Sequence, residues 1–222
     1  MLTKIAIIGA KGRMGTRLTA LAREHECEVV ATVSRDTQEL SGVPAVLIDF
    51  SAPAATRRWL EVARKRHIRM LIGTTGLSAD DQQAIDAAAK DIAVLQSPNM
   101  SLGVAVLHQL ARRAAELLGE ADIDIVEAHH RAKKDAPSGT ALALAEAIGK
   151  PGIPIHSLRL GDEVGRHTAF FGLPGERLEL AHVATNRDTF AHGALRAAVW
   201  LARQKPGRYA IGDLFSVQRL GK

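Results

Sequence analysis

The residues best suited to chemistry lie in one stretch, Glu127-Ala128-His129-His130-Arg131-Ala132-Lys133-Lys134-Asp135-Ala136-Pro137-Ser138-Gly139-Thr140. Two histidines and three cations stand within six residues, His129 to Lys134. Imidazole holds and releases a proton near neutral pH, and neighbouring cations attract anions, so the stretch suits proton transfer to an anionic substrate. Ser138 is an N-cap residue type ahead of an apolar helical run. It aims the N–H groups of Gly139 and Thr140 out of a helix terminus, where they can hold a carboxylate. Adjacent histidines also suit a metal or a purely structural pair. Neighbours on a strand face opposite sides, and no third ligand follows at helical spacing, so no metal is assigned. A serine nucleophile at Ser138 lacks the G-x-S-x-G elbow. Hydride delivery to a conjugated imine leaves an electron-rich carbon that must be protonated. A histidine among cations can be that acid, worth roughly 10²–10⁴ in rate.

A second set of candidates opens the chain. The run Lys4–Ile8 is followed by Gly9-Ala10-Lys11-Gly12-Arg13-Met14-Gly15 and then a helical pattern. A nucleotide pyrophosphate needs backbone N–H groups at a helix N-terminus with no side chain in the way, and Gly9, Gly12 and Gly15 give that clearance. The spacing G-x-x-G-x-x-G departs from the commoner G-x-G-x-x-G. Glycines of this kind also serve tight turns and close helix–strand packing. The second apolar run ends Thr32-Val33-Ser34-Arg35, with no carboxylate to bind the 2′-hydroxyl of NAD before Arg35, although Asp36 follows. A guanidinium at Arg35 can pair with a 2′-phosphate, Ser34 does not repel it, and Lys11 adds a second positive charge. The expectation is NADPH preferred, with NADH possible. Gly73-Thr74-Thr75-Gly76 and Ser97-Pro98-Asn99-Met100 follow later apolar runs, and their small residues allow backbone to approach a flat nicotinamide ring.

These residues need a frame. Apolar runs at Lys4–Ile8, Glu28–Val33, Ala45–Phe50, Arg69–Ile72 and Ile92–Gln96 alternate with helical patterns at Met14–Glu24, Ala54–Arg66 and Ala79–Lys90. Short continuous apolar runs are the mark of parallel strands covered on both faces. The fold class is therefore α/β: an N-terminal Rossmann-like parallel sheet with helices on both faces. After Pro98-Asn99 the pattern changes to a long helix at Ser101–Gly119, a strand at Ile123–His129 and a helix at Ser138–Gly149. Two strands, Gly165–Gly172 and Glu176–Ala184, flank a Leu173-Pro174-Gly175 turn. This reads as a smaller α+β domain for substrate binding and oligomerisation, with a mixed or antiparallel sheet. The boundaries are residues 1–99 for the dinucleotide-binding domain and 100–186 for the second, with 187–222 returning to the first.

Composition excludes other classes. With 222 residues and 46% hydrophobic content the chain can bury a sizeable core. The single cysteine, Cys27, rules out an internal disulfide and multi-cysteine metal sites, which points to a reducing cytoplasm. No apolar stretch approaches the ~20 residues of a spanning helix, so no membrane role is expected. The opening apolar run ends at a glycine turn without a cleavage site and reads as a strand, not a signal peptide. The net charge of +5 suits an anionic partner, but the basic residues are scattered and aromatics make up only 4%. That disfavours nucleic acid as the partner.

The segment His-His-x-x-Lys-x-Asp-Ala-Pro-Ser-Gly-Thr resembles the signature of the 4-hydroxy-tetrahydrodipicolinate reductase (dihydrodipicolinate reductase) family of diaminopimelate and lysine biosynthesis. The likeness extends through Gly9–Gly15, Asp49-Phe50-Ser51-x-Pro53, Gly73-Thr74-Thr75-Gly76, Asn99-Met100-Ser101-x-Gly103 and Glu176-Arg177-Leu178-Glu179-Leu180-x-His182. The resemblance implies that His129 is the catalytic acid and Lys133 its partner, with His130, Lys133, Gly139 and Thr140 holding the two carboxylates of a small substrate. It also implies a homotetramer assembled through the second domain. Lys11 stands where some members have glycine and Ser34 where some have an acid, and both differences tilt away from NADH. Two other readings stay open: a related dehydrogenase acting on another amine or imino acid, and an NADP-binding sensor without catalysis.

Overall fold

The computed structural model describes residues 1–34 and 39–215. The chain divides into two compact units, one formed by Met1–Ser101 with Phe190–Lys222 and the other by Leu102–Thr189.

In the first unit, strands β1 (Thr3–Ile8), β2 (Cys27–Val33), β3 (Val46–Asp49), β4 (Arg69–Ile72) and β5 (Ala93–Gln96) are joined through helices α1 (Arg13–Leu21), α2 (Pro53–Lys65) and α3 (Ala79–Ala88). The order across this sheet is β10-β5-β4-β3-β1-β2 with every pairing parallel, where β10 is Gly207–Tyr209. β1 therefore has β2 on one side and β3 on the other, which places the point where the winding reverses at the end of β1. Both faces are covered. Ala6, Leu47, Met70 and Val94 pack under Trp59, Leu60 and Ala63 of α2 and Ile85 and Ala88 of α3. Ile7, Ile48, Leu71 and Leu95 alternate with them in sequence and are just as buried.

Sequence periodicity places these elements within a residue or two, with two differences. The first helix pattern, read to Glu24, breaks at Leu21 into a 3₁₀ turn over Ala22–His25, which Glu26 closes in the left-handed conformation at φ 56°. β10 carries no apolar run; it forms because Gly207–Tyr209 lies parallel to Ala93–Leu95 at the sheet edge. The returning helix, α6 (Asp188–Leu201), hydrogen bonds to the 3₁₀ turn through His192 and His25 at 2.7 Å.

The second unit is a sheet of order β7-β6-β8-β9. It comprises β6 (Asp122–His129), β7 (Ile155–Arg159), β8 (Gly165–Leu173) and β9 (Glu176–Ala184). β6 and β7 run parallel while β6–β8 and β8–β9 are antiparallel, so the sheet is mixed. Helices α4 (Leu102–Leu118) and α5 (Gly139–Ile148) cover one face, with Leu107, Ala111, Leu144 and Ile148 packed on Ile123, Ile125, Ala169 and Phe171. Strand alternation carries the apolar row Ile123, Ile125 directly into Glu127 and His129 on that helix-facing side.

Candidate active site

Each cofactor candidate that the structure describes lies at the C-terminal edge of the parallel sheet, the edge where ligands bind in such folds. Gly9 leaves β1 at φ 81°, and both its N–H and that of Ala10 donate to the Val33 carbonyl, at 3.0 and 3.1 Å. Gly12 is the N-cap of α1 and offers no capping side chain, so the first turn of the helix, with Arg13 and Met14, keeps an open N-terminal approach. A Cβ on Gly9 would stand 2.5 Å from the Phe50 carbonyl oxygen, and one on Gly15 would stand 2.3 Å from the Gly9 oxygen. Those two glycines are required by backbone contacts, Gly9 with the chain after β3 and Gly15 with the turn itself. Gly15→Ala is therefore expected to cost about 1–3 kcal/mol of stability. It should also weaken dinucleotide binding; denaturant midpoints and nucleotide titration measure the two effects.

Beside the turn is a cleft of about 560 Å³ at the reversal point, lined by Gly9, Lys11, Gly12, Ser34, Arg58 and Trp59 among others. Its glycine floor, aromatic and aliphatic walls and two cations fit the adenosine and phosphate end of a dinucleotide. Arg58, on α2, is a candidate that the sequence did not single out, since nothing in a helical arginine distinguishes it. Arg35 lies outside the described residues.

Gly73–Thr75 follows β4 and Ser97–Met100 follows β5, and both loops are tied down. Asp49, fully buried at the end of β3, accepts hydrogen bonds from Ser51, Thr56 and Thr74, the last at 3.0 Å. Burial pushes its carboxyl up, and the three hydroxyls oppose that shift. Thr74 Oγ1 also accepts the Ser51 N–H at 3.0 Å, which joins the loops after β3 and β4. The Phe50 ring occupies the space where a Cβ on Gly73 would lie. Ser97 Oγ donates to the Asn99 carbonyl at 2.7 Å, and Asn99 Oδ1 accepts the Ser101 N–H at 2.9 Å.

The second unit brings together the remaining candidates. His129 ends β6 and is buried; His130 is half-buried in the following loop, so the strand alternation that separates neighbouring side chains stops between them. Lys133 Nζ donates to both carboxylate oxygens of Asp135 at 2.8 Å. Ser138 caps α5, its Oγ accepting the Ala141 N–H at 3.2 Å. Gly139 opens that helix, and a Cβ built there meets nothing within 4 Å, so the protein itself does not require a glycine at this point. Thr140 follows in the first turn.

Three residues that the sequence did not assign complete the cluster. Glu127, fully buried, hydrogen bonds to His129 Nδ1, and the Arg159 guanidinium grips its carboxylate through both terminal nitrogens, at 3.0 and 2.7 Å. Burial pushes the Glu127 carboxyl up, but hydrogen bonds led by Arg159 outweigh it and hold the group at about 2. Burial lowers the His129 pKa, the Glu127 carboxylate opposes that, and the Lys133 and Arg159 charges add to the lowering. His167 on β8 packs edge-on to His129 with centroids 5.1 Å apart, and its Nε2 lies 3.2 Å from Ser138 Oγ. Burial, reinforced by the His129 charge, holds it down at about 4. Glu127 was legible in principle, because it shares the alternation of His129. Arg159 was not, because β7 carries no apolar pattern. Among the described residues no group of three or more His, Cys, Asp or Glu is placed to hold a metal ion. No helix among them is long and apolar enough to cross a membrane.

The cluster has a buried imidazole beside an ionised carboxylate, an ammonium and an open helix N-terminus, a set able to move a proton next to a bound anion. Comparison with known proteins gives the family. Residues 3–100 match the family described as dihydrodipicolinate reductase, N-terminus, and residues 103–215 match dihydrodipicolinate reductase, C-terminus. A 4-hydroxy-tetrahydrodipicolinate reductase of Stenotrophomonas maltophilia is 46% identical, covering 95% of this chain and 97% of its own. One of Campylobacter jejuni subsp. doylei is 42% identical, covering 96% of each. In fold, the chain resembles a dipicolinate-bound dihydrodipicolinate reductase from Paenisporosarcina sp. TG-14, with a TM-score of 0.83 at 24% identity over 96% of this chain and 100% of that one. The two family matches between them span nearly the whole sequence, and on that ground the chain belongs to the dihydrodipicolinate reductase family.

Proposed function

We propose that this oxidoreductase reduces the cyclic imine derived from 4-hydroxy-tetrahydrodipicolinate to tetrahydrodipicolinate, in diaminopimelate and lysine biosynthesis. His129 is the proton donor in this reading. The observation that carries the residue roles is the buried His129–Glu127 pair, which feels the Lys133 charge and accepts the N–H of Ser138 at the cap of α5. Lys133, His130 and the first-turn N–H groups at Gly139 and Thr140 hold the two substrate carboxylates, which sets the reacting carbon against the imidazole. His129 then protonates the electron-rich carbon that reduction leaves.

Residues 1–99 with 187–222 hold the dinucleotide, and 100–186 hold the substrate and assemble the oligomer. The Gly9–Gly15 turn takes the pyrophosphate, Ser34 and Lys11 the ribose end, and the loops Gly73–Thr75 and Ser97–Met100 the nicotinamide. When bound, the reduced nicotinamide supplies the hydride. NADPH is the preferred form, because Lys11 and Arg58 bring positive charge to the cleft, and Arg35 follows β2 in the sequence with no carboxylate before it. Arg35→Ala is expected to weaken NADPH by about tenfold and NADH much less; equal losses in paired titrations would remove the 2′-phosphate contact.

The oligomer is a homotetramer in this reading, supported by Leu158 and Val183, exposed on the face of the second sheet opposite its helices. The setting is cytoplasmic, in keeping with the single free thiol of Cys27. The deciding assay follows NADPH oxidation with substrate generated from pyruvate and aspartate semialdehyde by the preceding synthase. NADH is run in parallel, with pyridine-2,6-dicarboxylate as competitor. Rapid oxidation blocked by the dicarboxylate is the expected result. Nucleotide binding without consumption, or oxidation with amino acids that ignores the competitor, would overturn the substrate assignment.

A further inference from the structure

We propose that Glu127, clamped by Arg159, is the positioning residue that fixes the tautomer of His129 and ties it to the carboxylate-binding end of α5. The proposal deepens the reductase reading and rests on it. One carboxylate joins three elements. Its Oε2 meets His129 Nδ1 on β6 and Arg159 Nη1 on β7. Its Oε1 accepts Arg159 Nη2 at 2.7 Å and, at 3.3 Å, the N–H of Ser138, the cap of α5. Arg159 extends the tie, since its Nη2 also donates to the Asp135 carbonyl at 2.6 Å in the loop that carries Lys133.

An ionised carboxylate can only accept hydrogen bonds, so the Nδ1 facing it must carry the hydrogen. That leaves Nε2 as the nitrogen that takes up and gives away the reacting proton. The space beside it is kept clear: the position where a Cβ on Gly165 would lie is 3.2 Å from His129 Nε2. Among the described residues, the other charged or titratable groups that act on the ring are Lys133 in the loop, Arg159 on β7 and His167 on β8. Lys133 and Arg159 both push His129 toward its neutral form, and His167 stays uncharged near neutral pH. Among these, Glu127 alone favours the protonated imidazole.

A buried ion pair can also be merely structural, and removing one partner leaves the other charge uncompensated. The test therefore uses Glu127→Gln alone and together with Arg159→Met, which removes both charges at once. With NADPH affinity unchanged, both variants are expected to lose about 10–10²-fold in kcat. The high-pH limb of kcat/KM should shift to lower pH in Glu127→Gln, because the group that raises the His129 pKa is gone. Imidazole ¹⁵N spectra should show the neutral His129 of the unaltered protein as the Nδ1–H tautomer, with Nε2–H populated in Glu127→Gln. A folded double variant with unaltered kcat overturns the proposal, as does a wild-type ring in the Nε2–H form. The spectra need no turnover. Nδ1–H in a protein that fails to reduce the imine would thus sink the reaction assignment and leave the clamp standing.

Discussion

His129→Gln is expected to lower turnover by about 10²–10⁴-fold while leaving NADPH affinity unchanged. Glutamine is close to imidazole in length, and its amide can donate to the Glu127 carboxylate, so the buried Glu127–Arg159 pair keeps a partner. What it cannot do is carry a transferable proton at the position of Nε2. The loss should therefore fall on kcat, with KM changed little, because Lys133 and the end of α5 still hold the carboxylates. The residues proposed to bind the nucleotide lie in the other unit, so a fluorescence titration with NADPH should match the unaltered protein. Turnover at the normal rate would remove His129 from the reaction.

Lys133→Ala is expected to reduce kcat/KM by at least about 10²-fold, with a large part of the loss in KM. The ammonium lies 2.8 Å from both oxygens of Asp135. Removing it deletes a positive charge and also leaves a carboxylate facing an anionic substrate. The pH profile gives a second, independent sign. Lys133 lowers the His129 pKa, so its removal should carry the high-pH limb upward, opposite to the displacement expected for Glu127→Gln. Matching displacements in the two variants would mean that the limb reports some group other than His129.

Much of this architecture could be read from residues in order. The parallel strands were legible because burial on both faces leaves an unbroken apolar run such as Ile5–Ile8. The Gly9–Gly15 turn was legible because its clearance is a property of glycine itself. The site residues came from a motif in which acid, cation and helix cap are neighbours in the chain. Arg159 and His167 did not, because they reach Glu127 and Ser138 only through strand pairing across some thirty residues, 32 and 29 respectively. No local pattern encodes that register. β7 shows the same limit: its alternation of half-buried and exposed residues, Ile155 to Arg159, becomes a strand only against Ile125–His129. The separate nature of the second half was visible in the change of texture after Asn99, whereas the short edge strand β10 was set by its parallel neighbour.

The first unit is discontinuous, and that has a consequence for biosynthesis. Its sheet is complete only when Gly207–Tyr209 has paired with β5, yet the preceding strands end at Gln96. Ribosomes emit roughly 5–20 residues per second, so the intervening stretch, on the order of 110 residues, takes about 5–20 s to appear. During that interval the newborn first unit shows an open β5 edge and lacks the seven buried residues of α6. The second unit, Leu102–Thr189, is continuous in sequence and can finish first. A chain that ends at residue 189 should therefore be sticky at one sheet edge and depend on chaperone cover, even though it holds every residue of the His129–Glu127–Arg159 cluster.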